Sequence, residues 1–172
     1  MGIRDTYVVL GNMASIWVGI VGGILLGDVW PYRLCPFVTN GLAPLRMLFM
    51  ILLRNIAFSL IVFLISYSVL LAGLILFVEG LYVGFMAPFV ARSLMVIVPL
   101  LPHGVFEVLG YSLIALAGVR YHGNGNYVRV LVIGFVLIIA AALIESFISV
   151  QIARHLLGKE LCYQLLGGIE TP

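Results

Sequence analysis

Long apolar runs separated by short polar stretches make up most of this chain. A spanning helix needs about 20 mostly apolar residues, because the hydrocarbon core of a bilayer is about 30 Å thick. Runs near this length predict five membrane segments, at about residues 7–27, 55–78, 81–101, 103–120 and 128–150. The runs are apolar on all sides, whereas barrel strands alternate apolar and polar residues. The predicted fold class is therefore all-α, a polytopic transmembrane helical bundle.

The first run, residues 7–27, is predicted to be a retained helix. It is longer than the apolar core of a signal peptide, which usually has about 7–15 residues, and no clean A-x-A cleavage site follows it. A proline-containing linker follows over residues 28–54. Within it, basic residues spaced along the apolar stretch 44–54 predict a short amphipathic helix in the membrane interface. Alternatively, residues 44–54 are the first turns of the next span.

The third run, residues 81–101, is interrupted by Gly84, Pro88, Arg92 and Pro99. An arginine in the middle of a membrane costs about 2.5–3.5 kcal/mol on insertion scales, and proline breaks helices. We therefore expect this run to be a broken helix, a re-entrant element or a short helix that faces the bundle interior.

Composition leaves little room for a soluble domain. Of the 172 residues, 63% are hydrophobic and 9% are charged, against about 25% charged in a typical soluble domain. We predict one integral membrane domain over residues 1–172. The net charge of +2 is too small to indicate a nucleic-acid partner. Cys35 and Cys162 lie far apart without metal-ligand spacing, and we expect neither a metal nor a cofactor.

Small residues recur at every fourth position of the first run. They are Gly11, Ser15, Gly19, Gly23 and Gly27. Side chains at positions i and i+4 share one helical face, and in lipid such a groove lets helix backbones approach closely. The stripe therefore predicts helix packing, either within one chain or against another copy.

Four ionisable residues fall inside predicted spans, namely Arg92, His103, Glu107 and Glu145. Intramembrane ionisable residues indicate a functional site by default. His103 and Glu107 are four residues apart and face the same way, so they could share a hydrogen bond or relay a proton. The alternative is a structural polar contact that ties helices together. We expect Arg92 to pair with Glu145 or Glu107, which would neutralise both charges.

Known catalytic motifs are poorly matched, and no catalytic residue is predicted. A zinc protease helix carries H-E-x-x-H, whereas here a single histidine, His103, precedes Glu107. No nucleophile motif surrounds Ser93 or Ser112, and no Gly-rich phosphate loop is present. A further alternative is an intramembrane hydrolase that uses His103 and Glu107, with or without a metal.

The run Leu-Pro-His-Gly-Val-Phe-Glu at 101–107, followed by Ala-Leu-Ala-Gly at 115–118, resembles the stage II sporulation protein M family. A Pro-His-Gly-x-x-Glu motif opens a helix in that family, and its matching residues here are Pro102, His103, Gly104 and Glu107. Residues 141–147 resemble the family's Ala-Ala-x-x-Glu-Ala motif. The resemblance covers about residues 50–155.

Two further matches depart from the family pattern in one residue each. Asn55 matches an Asn-Asn pair, with Arg54 in place of the first Asn. Gly80 and Gly84 match an Asn-Gly-x-x-x-Gly segment, with Glu79 in place of Asn. We expect the charges of Arg54 and Glu79 to lie near the membrane edge.

The resemblance implies a polytopic membrane protein with no settled biochemical activity. In spore formers, the family member works in a complex with wall-degrading partners during engulfment, and homologues also occur in archaea and in bacteria that do not sporulate. We expect a non-enzymatic, multi-pass cell-membrane protein, an oligomer-forming scaffold or complex subunit whose partners are the lipid bilayer and either copies of itself or other membrane proteins. The alternative is a transporter or channel component.

The positive-inside rule gives an expected orientation. One face of a five-span bundle would carry five basic residues, Arg33, Arg46, Arg54, Arg154 and Lys159. The opposite face would carry three, Arg4, Arg120 and Arg129. This difference favours a cytoplasmic C-terminus, and it almost vanishes if the third run is re-entrant.

Overall fold

The computed structural model describes residues 2–29, 44–90, 97–149 and 152, and these residues form an all-helical bundle. Five helices follow one another in this part of the chain: α1 (Ile3–Val29), α2 (Pro44–Ile65), α3 (Val69–Val90), α4 (Ile97–His122) and α5 (Val128–Ile144). Helix α5 continues directly into a π-helical segment, Glu145–Ser149. Five helical stretches are long and apolar enough to cross a membrane. The architecture is therefore that of a multi-pass membrane protein, as the apolar runs predict.

Two helix boundaries differ from the prediction. The predicted second span, residues 55–78, is divided at residues 66–68, where the chain leaves α2 and enters α3. The predicted boundary at residues 79–80 lies inside α3 instead. Hydropathy does not reveal the turn, because Ser-Tyr-Ser is only mildly polar and apolar residues flank it on both sides.

The shifted turn also changes the interpretation of the neighbouring segments. Residues 44–54 form the first half of α2, which makes the separate interfacial helix wrong and the alternative correct. The third run is divided between two helices, since residues 81–90 complete α3 and residues 97–101 begin α4. Between them, residues 91–96, including Arg92, lie outside the described residues.

Helix α4 is the central element of the bundle. It contacts α1, α2, α3 and α5, and every residue from 111 to 118 is buried. Leu76, Ile114 and Ile138 are fully buried in the apolar core. Many large apolar side chains of the outer helices, such as Leu70 and Val136, are exposed. An exposed apolar surface of this extent matches a lipid environment rather than water.

Facing glycines bring α1 and α3 into close contact. A methyl group on Gly19 would overlap the backbone of α3 at Phe77, and one on Gly23 would overlap it at Leu81. In return, the backbone of α1 leaves no room for a methyl group on Gly80 or Gly84 of α3; the blocking atoms belong to Ile16 and Ile20. For this part of the stripe, the packing partner is therefore a helix of the same chain.

Gly11 and Ser15, at the start of the stripe, contribute less to this contact. A methyl group on Gly11 would have nothing within 4 Å. The Ser15 hydroxyl donates to the carbonyl oxygen of Gly11 at 3.0 Å and faces Gly73 of α3. Gly27 is buried. The close backbone approach is thus confined to the middle and later turns of α1.

Candidate polar site inside the bundle

An ion pair joins the midpoints of α2 and α3. Arg54 Nη2 donates to Glu79 Oε1 at 3.0 Å. Each residue lies halfway along a helix of 22 residues, about 15 Å from either end at a rise of about 1.5 Å per residue. This position in the middle of two helices differs from the expected position near the ends of spans. The cause of the difference is the turn, which occurs at residues 66–68 rather than at 79–80.

The two partners of this ion pair differ in exposure. The side chain of Arg54 is 58% exposed, whereas that of Glu79 is 17% exposed. The guanidinium carbon of Arg54 also lies 5.7 Å from the ring centroid of Tyr82 on α3, within the range of a cation–π contact. The positive charge therefore lies on the outer surface of the bundle, at the middle depth of both helices.

Glu107 faces inward from α4. Its Oε1 accepts a hydrogen bond of 3.1 Å from the hydroxyl of Tyr111, one turn further along the helix. Tyr111 is 3% exposed. Its ring meets Phe58 of α2 edge-on, with centroids 4.9 Å apart. This contact places the carboxyl of Glu107 beside the inner side of α2.

His103 connects α4 to the end of α5. Its Nδ1 lies 2.8 Å from the hydroxyl oxygen of Ser149 in the π-helical segment, and both side chains are buried. Which group donates depends on the histidine tautomer. Since α4 begins at Ile97, Pro102 lies inside the helix rather than before it. A methyl group on Gly104 would meet nothing within 4 Å.

Glu145 completes the cluster at the junction of α5 and the π-helical segment. Glu145 lies four residues before Ser149, whose hydroxyl contacts His103, and Glu107 lies one turn after His103 on α4. Because α4 and α5 are consecutive antiparallel helices, this contact brings the two carboxyl groups to the same level of the bundle. We call the set Arg54, Glu79, Glu107, Tyr111 and Glu145 the polar centre. It contains three carboxyl groups and one guanidinium, and the predicted pairing of Arg92 with Glu145 or Glu107 lies outside the described residues.

Two polar side chains on the buried face of α2 lack partners. Asn55 is 2% exposed and Ser59 is fully buried. Neither Asn55 Nδ2 nor Ser59 Oγ has a hydrogen-bond partner among the described residues. Asn55 and Phe58 are three residues apart and share a helical face, so Asn55 lies on the side of α2 that faces Tyr111.

A separate set of polar contacts ties helix ends together. Arg120 Nη2 donates to Asp5 Oδ2 at 2.6 Å, and Arg120 Nη1 donates to the carbonyl oxygen of Asn126 at 3.0 Å. The ring of His122 stacks on Tyr67 with centroids 3.8 Å apart. These contacts join the ends of α1, α2 and α4 to the turn before α5. They have a structural role.

The arrangement does not provide a metal site of the usual kind. In the part of the chain that the structure describes, no three His, Cys, Asp or Glu side chains are grouped to hold a metal ion. His103 beside Ser149 resembles the base and nucleophile of a serine hydrolase. However, Ser149 is 4% exposed within a helix, so the hydroxyl is closed to a substrate in this conformation.

Sequence reasoning singled out His103, Glu107 and Glu145 but missed how Arg54, Glu79 and Ser149 join them. The 25-residue separation of Arg54 and Glu79 carries no local pattern. Glu145 and Ser149 are four residues apart after the Ala-Ala pair of the last span. This spacing is the one signal in the sequence that could have linked Ser149 to the site.

Comparison with known proteins gives no relationship: no family model, no curated protein and no solved structure matches this chain.

Proposed function

We propose that this protein is a non-enzymatic, multi-pass subunit of the cell membrane, of the stage II sporulation protein M type, which assembles with further copies of itself. The observation that carries the proposal is the position of Arg54. This arginine lies at the middle depth of α2 with 58% of its side chain exposed.

The physical reason is the cost of a charge that faces lipid. An arginine at the centre of a spanning helix costs about 2.5–3.5 kcal/mol on insertion scales. The ion pair with Glu79 and the ring of Tyr82 offset only part of this cost, because they cover less than half of the side chain. A neighbouring protein surface at the same depth removes the remaining exposure.

A second copy suits this role because of symmetry. Two copies related by a twofold axis along the membrane normal place identical residues at identical depth. Arg54 of each copy then meets the Glu79 and Tyr82 region of the other, so the surface is complementary to itself. The family resemblance supports the same conclusion, since it implies work within a membrane complex.

Site-directed cross-linking tests the proposal. Cys35 and Cys162 are first replaced by serine, and one cysteine is then introduced at Ala57, an exposed position one turn after Arg54 on α2. The matched control is Val136→Cys, an exposed position in the middle of α5. We expect a cross-linked dimer in native membranes for Ala57→Cys only. Monomers for both variants, or equal dimer yields, would contradict assembly through this face.

The polar centre favours a second candidate function, a transporter or channel component. It holds three carboxyl groups, on α3, α4 and the π-helical segment, and one guanidinium on α2, and polar groups at membrane depth often line transport sites. A flux assay in liposomes, comparing the wild type with Glu107→Gln, tests this candidate. Background flux in both proteins would count against it.

A further inference from the structure

We propose that Glu107 and Glu145 together hold one exchangeable monovalent cation inside the bundle, either a proton or a sodium ion, with Asn55 as a third polar group. This site does not depend on whether a solute crosses the membrane. It also does not depend on assembly with another copy.

Charge balance is the first argument. The titratable and charged groups around the site on the described helices are Glu79 on α3, His103, Glu107 and Tyr111 on α4, and Glu145 in the π-helical segment, with Arg54 on the outer side of α2. Arg54 directs its hydrogen bond to Glu79. Among the described groups, no second permanent cation balances Glu107 and Glu145.

Two carboxylates without a counter-charge among the described groups are costly at membrane depth, because a partly buried charge without a partner loses hydration and gains little in return. The contact of His103 with Ser149 sets Glu107 and Glu145, each four residues further into the bundle, at the same level, where their like charges repel. When two carboxyl groups interact this way, a single proton or ion shared between them relieves both the repulsion and the loss of hydration. One shared cation lowers the charge of the pair from −2 to −1 and removes the direct repulsion between the two carboxylates.

Asn55 supplies an independent indication of a ligand. Its side chain is 2% exposed and its Nδ2 has no partner among the described residues. Phe58, on the same face of α2, touches the ring of Tyr111, whose hydroxyl in turn binds Glu107. The side-chain amide of an asparagine carries an acceptor oxygen and a donor nitrogen, which exchange places when the amide group turns over. In one orientation Asn55 offers an oxygen to a cation, and in the other it donates to a carboxylate that shares a proton.

The His103–Ser149 contact gives the site a route for exchange. His103 lies one turn before Glu107 on α4, and Ser149 lies one turn after Glu145. Both residues are therefore nearer the helix ends than the carboxyl groups are. A neutral imidazole in contact with a hydroxyl can pass a proton along. The His103–Ser149 contact therefore lies on a path by which a proton could move between the carboxyl pair and the nearer ends of α4 and α5.

Dicyclohexylcarbodiimide tests the site, because this apolar reagent reacts with protonated carboxyl groups in membrane proteins. The intact protein in sodium-free liposomes is labelled across a pH series, with sodium chloride or potassium chloride added in parallel. Mass spectrometry then locates the label. Glu107→Gln, Glu145→Gln and Asn55→Leu are compared with Asp5→Asn, which removes a carboxyl group at the far end of the bundle.

We expect one label per chain, on Glu107 or Glu145, and loss of that label in either Glu→Gln variant because the two groups share one cation. Suppression by sodium but not by potassium identifies a sodium ion as the ligand. Loss of label with rising pH alone identifies a proton. Asn55→Leu should shift the pH or sodium concentration that halves labelling, and Asp5→Asn should not. Absence of label from both residues at every pH, or labelling indifferent to both pH and sodium, overturns the proposal.

Discussion

Arg54 and Glu79 illustrate how strongly the energetics of a residue depend on its depth in the membrane. At the edge of a span, both charges would be hydrated and their contact would contribute about 0–1 kcal/mol. At the midpoint of α2 and α3, where they lie, neither can be hydrated in full. The 3.0 Å contact then offsets part of the cost of placing two charged side chains in the middle of the helices.

We expect Glu79→Gln to lower the free energy of unfolding by on the order of 1–3 kcal/mol. Breaking a fully buried pair costs about 3–5 kcal/mol, and the loss should be smaller here because Arg54 is partly exposed. Thermal unfolding in lipid nanodiscs measures it. Asp5→Asn is the control, since it breaks the pair with Arg120 at the helix ends, where water is closer. Equal losses in the two variants would contradict the mid-depth assignment of Arg54 and Glu79.

Two buried serines, Ser59 in α2 and Ser66 in the turn that follows it, form a matched pair for a second prediction. Both are fully buried, but among the described residues the Ser66 hydroxyl has a partner, the carbonyl oxygen of Val62 at 2.6 Å, and the Ser59 hydroxyl has none. An unsatisfied buried polar group costs about 1–3 kcal/mol, whereas a formed hydrogen bond contributes about 0.5–1.5 kcal/mol. Ser59→Ala should therefore raise the thermal midpoint or leave it unchanged, and Ser66→Ala should lower it. The reverse order would show that Ser59 has a partner.

Among the described helices, the packing of α1 against α3 depends most clearly on the small size of the residues at the contact. Gly19 and Gly23 lie against the backbone of α3, and Gly80 and Gly84 lie against that of α1. Their missing side chains allow the close approach that dispersion forces and backbone contacts need in lipid. Gly80 and Gly84, which carry part of the family resemblance, thus have a complete explanation in packing.

Gly84→Ala should separate α1 from α3 and cost about 1–3 kcal/mol or more, as overpacking usually does. The added methyl group would collide with the backbone at Ile20, which cannot yield as a flexible side chain would. Gly11→Ala is the control within the same stripe, because nothing lies within 4 Å of the new methyl group. It should be neutral or stabilising by up to about 1 kcal/mol through helix propensity. Thermal unfolding of both variants in lipid nanodiscs measures these changes in stability. An equal loss of stability in the two variants would contradict the close packing of α1 on α3.

The number and type of elements could be predicted from the sequence, but the position of one turn could not. Apolar runs of spanning length identify helices, because the bilayer fixes their length. The Ser-Tyr-Ser turn at residues 66–68 lacks the Gly, Pro or Asn residues that usually identify turns, and Glu79-Gly80 offered a stronger but misleading break. Tertiary packing decides between them, since Glu79 is partnered by Arg54 and Gly80 is packed on α1.

At the scale of the whole molecule, the polar centre depends on helices that are distant in sequence. The intramembrane carboxyl groups of Glu107 and Glu145 could be recognised one at a time, because charge inside an apolar run is rare. Their association with Arg54 could not, because it requires the register of α2 against α4 and α5. That register is fixed by buried contacts such as Phe58 on Tyr111, and a single sequence does not report them.

The corrected helix boundaries also change the basis of the predicted orientation. Arg54 no longer counts toward either face, because it lies inside α2. Arg92 takes its place in the sequence between α3 and α4, although it lies outside the described residues. On the side where α5 finishes, the connecting sequence segments and the first turn of α2 then contain five basic residues, Arg33, Arg46, Arg92, Arg154 and Lys159. The opposite side still has three, Arg4, Arg120 and Arg129.

We therefore expect the last turn of α5 to face the cytoplasm and the turn before α5 to face the other side, because basic residues near span ends are retained in the cytoplasm. A membrane-impermeant maleimide applied to intact cells measures this. In a Cys35→Ser background, Asn126→Cys, exposed in that turn, should be labelled without lysis, and the native Cys162 only after lysis. The opposite labelling pattern would reverse the orientation. Labelling of both positions in intact cells would show that the number of crossings between them is even, which contradicts α5 as a complete span.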